Sequence, residues 1–229
     1  MIQAVGVAIP AHNEEYLLPA CLTAVRHAAA LLGNMPVHIV VVADACRDLT
    51  ARRAREGGAE VMEIRARSVG AARDTGMARV LASTQHLDPA SVWLATTDAD
   101  TLVPPSWLSQ QLRYAVQGWE AVVGTVKITD WTGHPAGVPP LFAERYGDGD
   151  GEHPHVHGAN LGFTAAAYLA AGGFGSRRTA EDHALVSALD AAGRAILRTS
   201  QLNVVTSARR LGRAPHGFSH LLSALAAAE

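Results

Sequence analysis

Two aspartates one residue apart, Asp98 and Asp100, close an apolar run that begins at Val92. The run Val92 to Thr96 reads as a buried strand, and Thr97-Asp98-Ala99-Asp100 as the loop at its carboxyl end. That edge of an open α/β sheet is where ligands bind. Alternate residues of an extended segment share a face, so both carboxylates can address one point. Two hard oxygen donors at one point suit a divalent cation, Mg²⁺ or Mn²⁺, with a diphosphate completing its shell. The bland alternative is a pair of solvated acids capping the next helix. Arg67 and Arg73 could add positive charge near phosphates, or lie on a solvated helix face. Arg209, Arg210 and Arg213 could close over a diphosphate, or form a solvated cluster.

Other reactive types are scattered. His153, His155 and His157 alternate, so in a strand they share a face and could bind zinc, but no fourth ligand is evident. Cys21 and Cys46 belong to no CxxC, which speaks against a zinc ribbon or a redox motif. Glu181 and Asp182 follow Thr179 at the expected start of a helix, where acids favour the dipole in any case. Trp131, Phe142 and Tyr146 could stack on a sugar or pack a loop onto the core.

The elements that must position these residues follow from periodicity. Val5 to Ile9 is a short buried strand stopped by Pro10. Asn13 is placed to cap a helix carrying Glu14 and Glu15 in its first turn, with Leu18, Cys21, Leu22, Val25, Ala29 and Leu32 at helical spacing. Val37 to Ala43 is a second strand, ending at Asp44, and a helix then runs to Glu56. Val61 to Ile64 is a third strand, and a helix capped by Ser68 runs to Leu81. With the strand at Val92 the order is β, α, β, α, β, α, β. This predicts a mostly parallel, Rossmann-like sheet with helices on both faces. It also brings His12, Asp44, the Arg67 region and Asp98/Asp100 to one edge.

The second half is less regular. A helix is expected from Ser106 to Gln117 and a strand from Ala121 to Ile128. Residues 130–157 are rich in Gly, Pro and His without periodicity, which reads as a long loop serving as a lid. Gly158 to Phe163 is compact and Gly-rich, followed by a short helix ending at Gly172. Thr179 is expected to cap a helix from Ala180 to Ala192. Short strands at 195–198 and 203–206 and a last helix at 218–228 complete the chain.

The chain has 229 residues, 48% hydrophobic and 17% charged, which argues against disorder and allows a large core. A net charge of −2 implies no nucleic-acid-binding face. No apolar run approaches the ~20 residues of a membrane span, and no signal peptide is apparent. Two free thiols suit a reducing compartment. The expectation is a soluble, cytoplasmic, single-domain protein over 1–229, with homo-oligomerisation left open.

Five pieces, in order, resemble the family 2 glycosyltransferases of GT-A fold, which use nucleotide-sugar donors. They are Ile9-Pro-Ala-His-Asn-Glu14; Val40-Val-Val-Ala-Asp44 with Arg47-Asp48-Leu-Thr50; Gly70-Ala-Ala-Arg73-Asp-Thr-Gly76; the DxD motif Thr97-Asp-Ala-Asp100; and an acceptor half with Gly158-Ala-Asn160, Gly172-Gly173-Phe174 and Thr179-Ala-Glu-Asp182. The resemblance implies a donor half, 1–103, and a smaller acceptor half, 104–229, with the lid at 130–157. It implies donor contacts from Pro10, His12, Glu14, Asp44, Arg67, Gly70, Arg73, Asp98 and Ala99, with Asp44 on the nucleotide base. Asp100 would bind the metal directly, Asp98 the metal or the ribose, and His216 is a further metal candidate. Asp182 would be the general base, supported by Glu181, with inversion at the anomeric carbon. Ala43 stands where the family often has an acid, and Ala45-Cys46 where Gly-Ser is usual, so UDP- and GDP-sugars both stay open. The acceptor is unspecified. Two other readings compete. A nucleotidyltransferase is disfavoured by the acidic, glycine-free loop Pro10 to Glu15. A nucleotide-sugar-binding module without turnover is disfavoured by the presence of Asp98, Asp100 and Asp182.

Overall fold

In the computed structural model, the residues described are 1–146, 153–176 and 179–209, with Leu222, Ala224 and Leu225. The first half follows the expected alternation. Strands β1 (Ala4–Ala11), β2 (Val37–Asp44), β3 (Glu60–Ile64) and β4 (Val92–Thr96) alternate with helices α1 (Leu18–Ala30), α2 (Thr50–Glu56) and α3 (Val69–Ser83). All three pairings, β1 with β2, β1 with β4 and β2 with β3, are parallel. Every residue of β1 is buried. Val5, Val7 and Ile9 pack with Leu18, Cys21, Leu22 and Val25 of α1 on one face. Ala8 packs with Ala72, Met77 and Val80 of α3 on the other.

Two glycines set how close α3 comes. A Cβ on Gly6 would lie 2.1 Å from Val80 Cγ1, and one on Gly76 would lie 2.8 Å from Ala8 Cβ. Gly76, which weakens the helix by propensity, is there for close approach to the sheet.

The second half adds β5 (Thr101–Leu102), α4 (Trp107–Val116), β6 (Ala121–Lys127), α5 (Val138–Tyr146), β7 (Leu161–Thr164), α6 (Ala165–Ala170), α7 (Glu181–Ala191) and β8 (Ile196–Thr206). The eight strands form one sheet in the order β3-β2-β1-β4-β7-β6-β8-β5. The sheet turns antiparallel at β7, which pairs with both β4 and β6. Among the described residues no helix is long and apolar enough to cross a membrane.

Several local expectations are corrected. β1 runs through Pro10 to Ala11. Val5 N bonds toward the β2 side, so by alternation position 10 faces β4, whose ladder has already ended at Ala8 and Thr96. The missing N–H of Pro10 therefore breaks no pair. Asn13 is not a helix cap; α1 begins later, at Leu18, with no side-chain cap. Thr179 is not the cap of α7 either, since Ala180 holds that position in a left-handed conformation. The segment 130–157 is not all loop. It holds α5, whose Pro139 and Pro140 fall in the first turn, where proline costs no intrahelical bond. The two expected strands near the end are one, β8, with Thr199–Leu202 between paired stretches. The irregularity lies opposite Gly124, where a Cβ would meet Asn160 Nδ2 at 2.2 Å and Leu202 O at 2.4 Å. Buried Asn160 holds this crossing together. It donates to Thr125 O and Leu202 O, each at 2.9 Å, and accepts from Trp107 Nε1 at 2.9 Å. The expected last helix lies outside the described residues, apart from helical Leu222, Ala224 and Leu225.

Candidate active site

The carboxyl ends of β1, β2 and β3 and the loops after them lie side by side along one edge of the sheet. Asp44 ends β2 and is buried. Its two oxygens accept from the backbone N–H of Arg67 at 2.9 Å and of Ser68 at 2.7 Å. Ser68 in turn caps α3 by accepting from Ala71 N. His12 Nδ1 donates to the Asp44 carbonyl at 2.6 Å. Cys46 Sγ accepts from Asn13 N at 3.3 Å and donates to Ala11 O at 3.4 Å. Among the described residues the left-handed non-glycine positions are Asn13, Ala45, Arg67 and Ala180, with φ of 54°, 53°, 50° and 57°. Three lie in these three loops and the fourth beside Asp182. Backbone strain of this kind costs about 1–2 kcal/mol per residue and gathers at functional sites.

The DxD loop is folded by its middle residue. Asp98 O accepts from Thr101 N at 3.1 Å, closing a four-residue turn. Ala99 is buried in the α1-side core, and the buried Cys21 thiol donates to Asp98 O at 3.3 Å. With Ala99 turned into the core, both flanking carboxylates stay outside it. Just beyond, Thr101 and Leu102 pair with Thr206 and Val205 of β8. That pairing carries Arg209 back to the motif. Its Nη2 lies 2.5 Å from Asp100 Oδ2 and 2.8 Å from Glu14 Oε1. Burial pushes the Asp100 carboxyl up to about 6, against the pull of Arg209.

Arg73 joins this edge to α7. It is 2% exposed, with Nη2 2.5 Å from Asp98 Oδ1 and Nη1 3.1 Å from Glu181 Oε1. Its guanidinium carbon stands 5.9 Å from the centre of the Phe174 ring. Gly158 lies against it; a Cβ there would come within 2.2 Å of Nη2. Burial raises the Glu181 carboxyl, and Arg73 opposes that shift. Asp182, the next residue, is half-buried. Its oxygens accept from Gly158 N and from its own neighbour His183 N, each at 2.8 Å. His157 is held near 4 by burial, partly offset by Asp182, so it is neutral there at pH 7.

Asp98 and Glu181 share Arg73, and Asp100 and Glu14 share Arg209; Asp182 follows Glu181, Asp44 ends β2 on Arg67 N and Ser68 N, and Pro10, His12, Gly70 and Ala99 lie in or against the same loops. Arg73 does not lie on a solvated helix face: it is buried against two carboxylates and the Phe174 ring. Arg67 is exposed and contributes its backbone N–H to Asp44. The three histidines do not converge on a point. His155 stacks on Tyr146 at 4.0 Å, and the His153–His155 and His155–His157 rings follow at 5.9 and 6.1 Å, nearly parallel. Trp131 and Tyr146 pack on Phe142 at 5.4 and 4.9 Å. Among the described residues no three His, Cys, Asp or Glu side chains are arranged to hold a metal. His216, Arg210 and Arg213 lie outside the described residues. The Arg209–Glu14 pair was not foreseen, since nothing in the spacing of residues 14 and 209 signals it.

Solved structures share the fold. S. aureus TarS 1–349 in complex with UDP-GlcNAc superposes with a TM-score of 0.66 at 13% identity, over 98% of this chain and 66% of that one. M. tuberculosis glucosyl-3-phosphoglycerate synthase in complex with Mn²⁺, UDP and glucosyl-3-phosphoglycerate gives 0.55 at 18% identity, over 98% of this chain and 76% of that one. A mycobacterial protein gives 0.62 at 18% identity, over 98% and 71%. The chain spans 60% of another TarS 1–349 structure and 36% of a longer TarS chain. At these identities the likeness shows the GT-A fold. No curated protein matches the sequence. The sequence profile of glycosyl transferase family 2 matches residues 6–182, from the middle of β1 to the candidate base. By that match, which covers most of the chain and ends on the acidic pair, the protein belongs to glycosyl transferase family 2.

Proposed function

We propose that this chain is a metal-dependent, inverting glycosyltransferase that moves a sugar from a UDP- or GDP-sugar to an acceptor hydroxyl. One observation carries the reading: Arg73 bridges Asp98 of the DxD loop to Glu181, the residue before Asp182. Residues 1–103 supply the donor wall and the remainder the acceptor wall, with 130–157 shaping the acceptor side. Asp44 takes the nucleotide base, its carboxylate having lone pairs left beyond the two backbone bonds. The donor set is all oxygen, and Asp100 already accepts a cationic group, so the residues fit a hard divalent ion. Asp100 and Asp98 would hold Mg²⁺ or Mn²⁺, which would stabilise the charge of the leaving diphosphate. The described residues offer too few ligands for a closed site, which suits an ion shared with the diphosphate.

Asp182 is the base. Gly158 N and His183 N hold its carboxylate in place, and neutral His157 adds no positive charge to depress its basicity. Glu181 fixes the wall through Arg73. Asp182 would take the proton of the acceptor hydroxyl as that oxygen bonds to the anomeric carbon from the side opposite the departing nucleoside diphosphate, a single displacement that inverts the centre. Free Cys21 and Cys46 fit a cytoplasmic setting. The test is a panel of UDP- and GDP-sugars with Mn²⁺ or EDTA, followed by nucleotide release and, with acceptors, by product. Release that needs the metal and disappears in Asp100→Asn is expected. Tight binding with no release under any condition would instead favour a binding module.

A further inference from the structure

Glu14 and Asp100 are both nearly out of reach of water, and Asp98 lies beside them. Their side chains are 5%, 9% and 37% exposed. Grouping carboxylates at low exposure without a cation is costly, several kcal/mol per ion. Here the fold supplies its own. Arg209, three residues beyond β8, puts one nitrogen, Nη2, within contact of both Glu14 and Asp100. That nitrogen lies 2.5 Å from Asp100 Oδ2. A divalent ion bonded to the same oxygen would sit at about 2.0–2.1 Å. Two cations held that close on one oxygen repel each other, so the metal and the guanidinium compete for it.

We infer that Arg209 is an exchangeable counter-cation. It neutralises Asp100 and Glu14 in the ligand-free protein, gives way when the metal binds Asp100, and then serves the diphosphate. The exchange rests on the reading of Asp100 as a metal ligand. Cation replaces cation: the metal would take the place of the guanidinium on the carboxylates, and the guanidinium would meet the incoming diphosphate anion, which its planar fork suits. Arg209 is thereby a gate on metal binding in the absence of donor and a donor contact in its presence. The β5–β8 ladder holds the chain up to Thr206, three residues before Arg209, whose partly exposed side chain has solvent to move into.

The experiment uses the full chain. Mn²⁺ binding without nucleotide is titrated calorimetrically for wild type, Arg209→Gln and Asp100→Asn. Arg209→Gln is expected to bind Mn²⁺ about tenfold tighter than wild type, since no ion pair must be broken. The same variant should bind UDP or GDP several-fold more weakly with Mn²⁺ present. Hydrogen exchange on the wild type guards against a misfolded variant: Mn²⁺ alone should raise exchange at residues 204–209, and nucleotide with Mn²⁺ should restore protection. Unchanged or weaker Mn²⁺ binding in Arg209→Gln, or no change in exchange with Mn²⁺, would overturn the gate while leaving the metal site intact. Equal Mn²⁺ affinity in Asp100→Asn and wild type would overturn the metal-site reading itself, and the gate with it.

Discussion

Arg73 Nη1 stands 3.1 Å from Glu181 Oε1, and neither side chain is more than 6% exposed. The pair joins a helix of the first half to a helix of the second. Removing the guanidinium leaves a buried carboxylate without its cation. Arg73→Met should therefore destabilise the protein by about 3 kcal/mol, read from denaturant unfolding. Asp98 is excluded from that figure because it is partly solvated. Arg73→Met/Glu181→Gln should recover part of the loss. A variant as stable as wild type would mean the pair does not hold the walls together.

Asp98→Ala and Asp182→Asn should separate binding from transfer. The first should abolish metal-dependent donor binding, measured by calorimetry with Mn²⁺. The second should leave donor affinity within a few-fold of wild type and lower kcat by about 10²–10⁴. An Asp182→Asn enzyme that transfers at the wild-type rate would remove Asp182 from the role of base.

Stability should fall in mild acid. His157 titrates near 4 in the fold and near 6.5 when exposed. Its folded value is depressed, so below pH 6.5 the unfolded chain binds a proton that the fold refuses. The stability present above that pH is lost progressively until about pH 4, by about 3 kcal/mol. The comparison that isolates it is unfolding from pH 7 to 4 in wild type and His157→Asn; the variant should show a shallower slope. Parallel slopes would contradict it.

Ala45 sits at φ 53° in the loop after β2. Glycine accepts that conformation without the Cβ clash but loses more freedom on folding. Ala45→Gly should stabilise by about 0.5 kcal/mol, seen as a rise in the denaturant midpoint. Weaker nucleotide binding in that variant would show that the strained loop also shapes the base pocket.

Much of this was legible beforehand because local and global signals agreed. Ser68 caps α3, and Val92–Thr96 is a strand, just as their types and periods require. The first-half alternation could only close as a parallel sheet, and that placed Asp44 and Asp98 on one edge. What was hidden depended on distant partners. Pro10 reads as a breaker until the end of the β4 ladder is known. The prolines of α5 mask a helix whose apolar face is defined by Ala208 and Leu222. Arg73 looks like a surface arginine because neither Asp98 nor Glu181 is near it in sequence. The histidines at 153, 155 and 157 do alternate, but without a neighbouring strand their rings stack on Tyr146 instead of facing a common point.

The place of β4 in the sheet has a consequence for how the protein can be cut. Its outer neighbour, β7, arrives some seventy residues later and pairs with it from Trp93 to Thr96. A fragment ending near residue 103 would keep the parallel strands β1 to β4 yet present an unpaired, apolar margin, a ready template for self-association. It would also strand Arg73 without Glu181. The first half is thus not a portable module; its apolar margin is covered by the polypeptide that follows it.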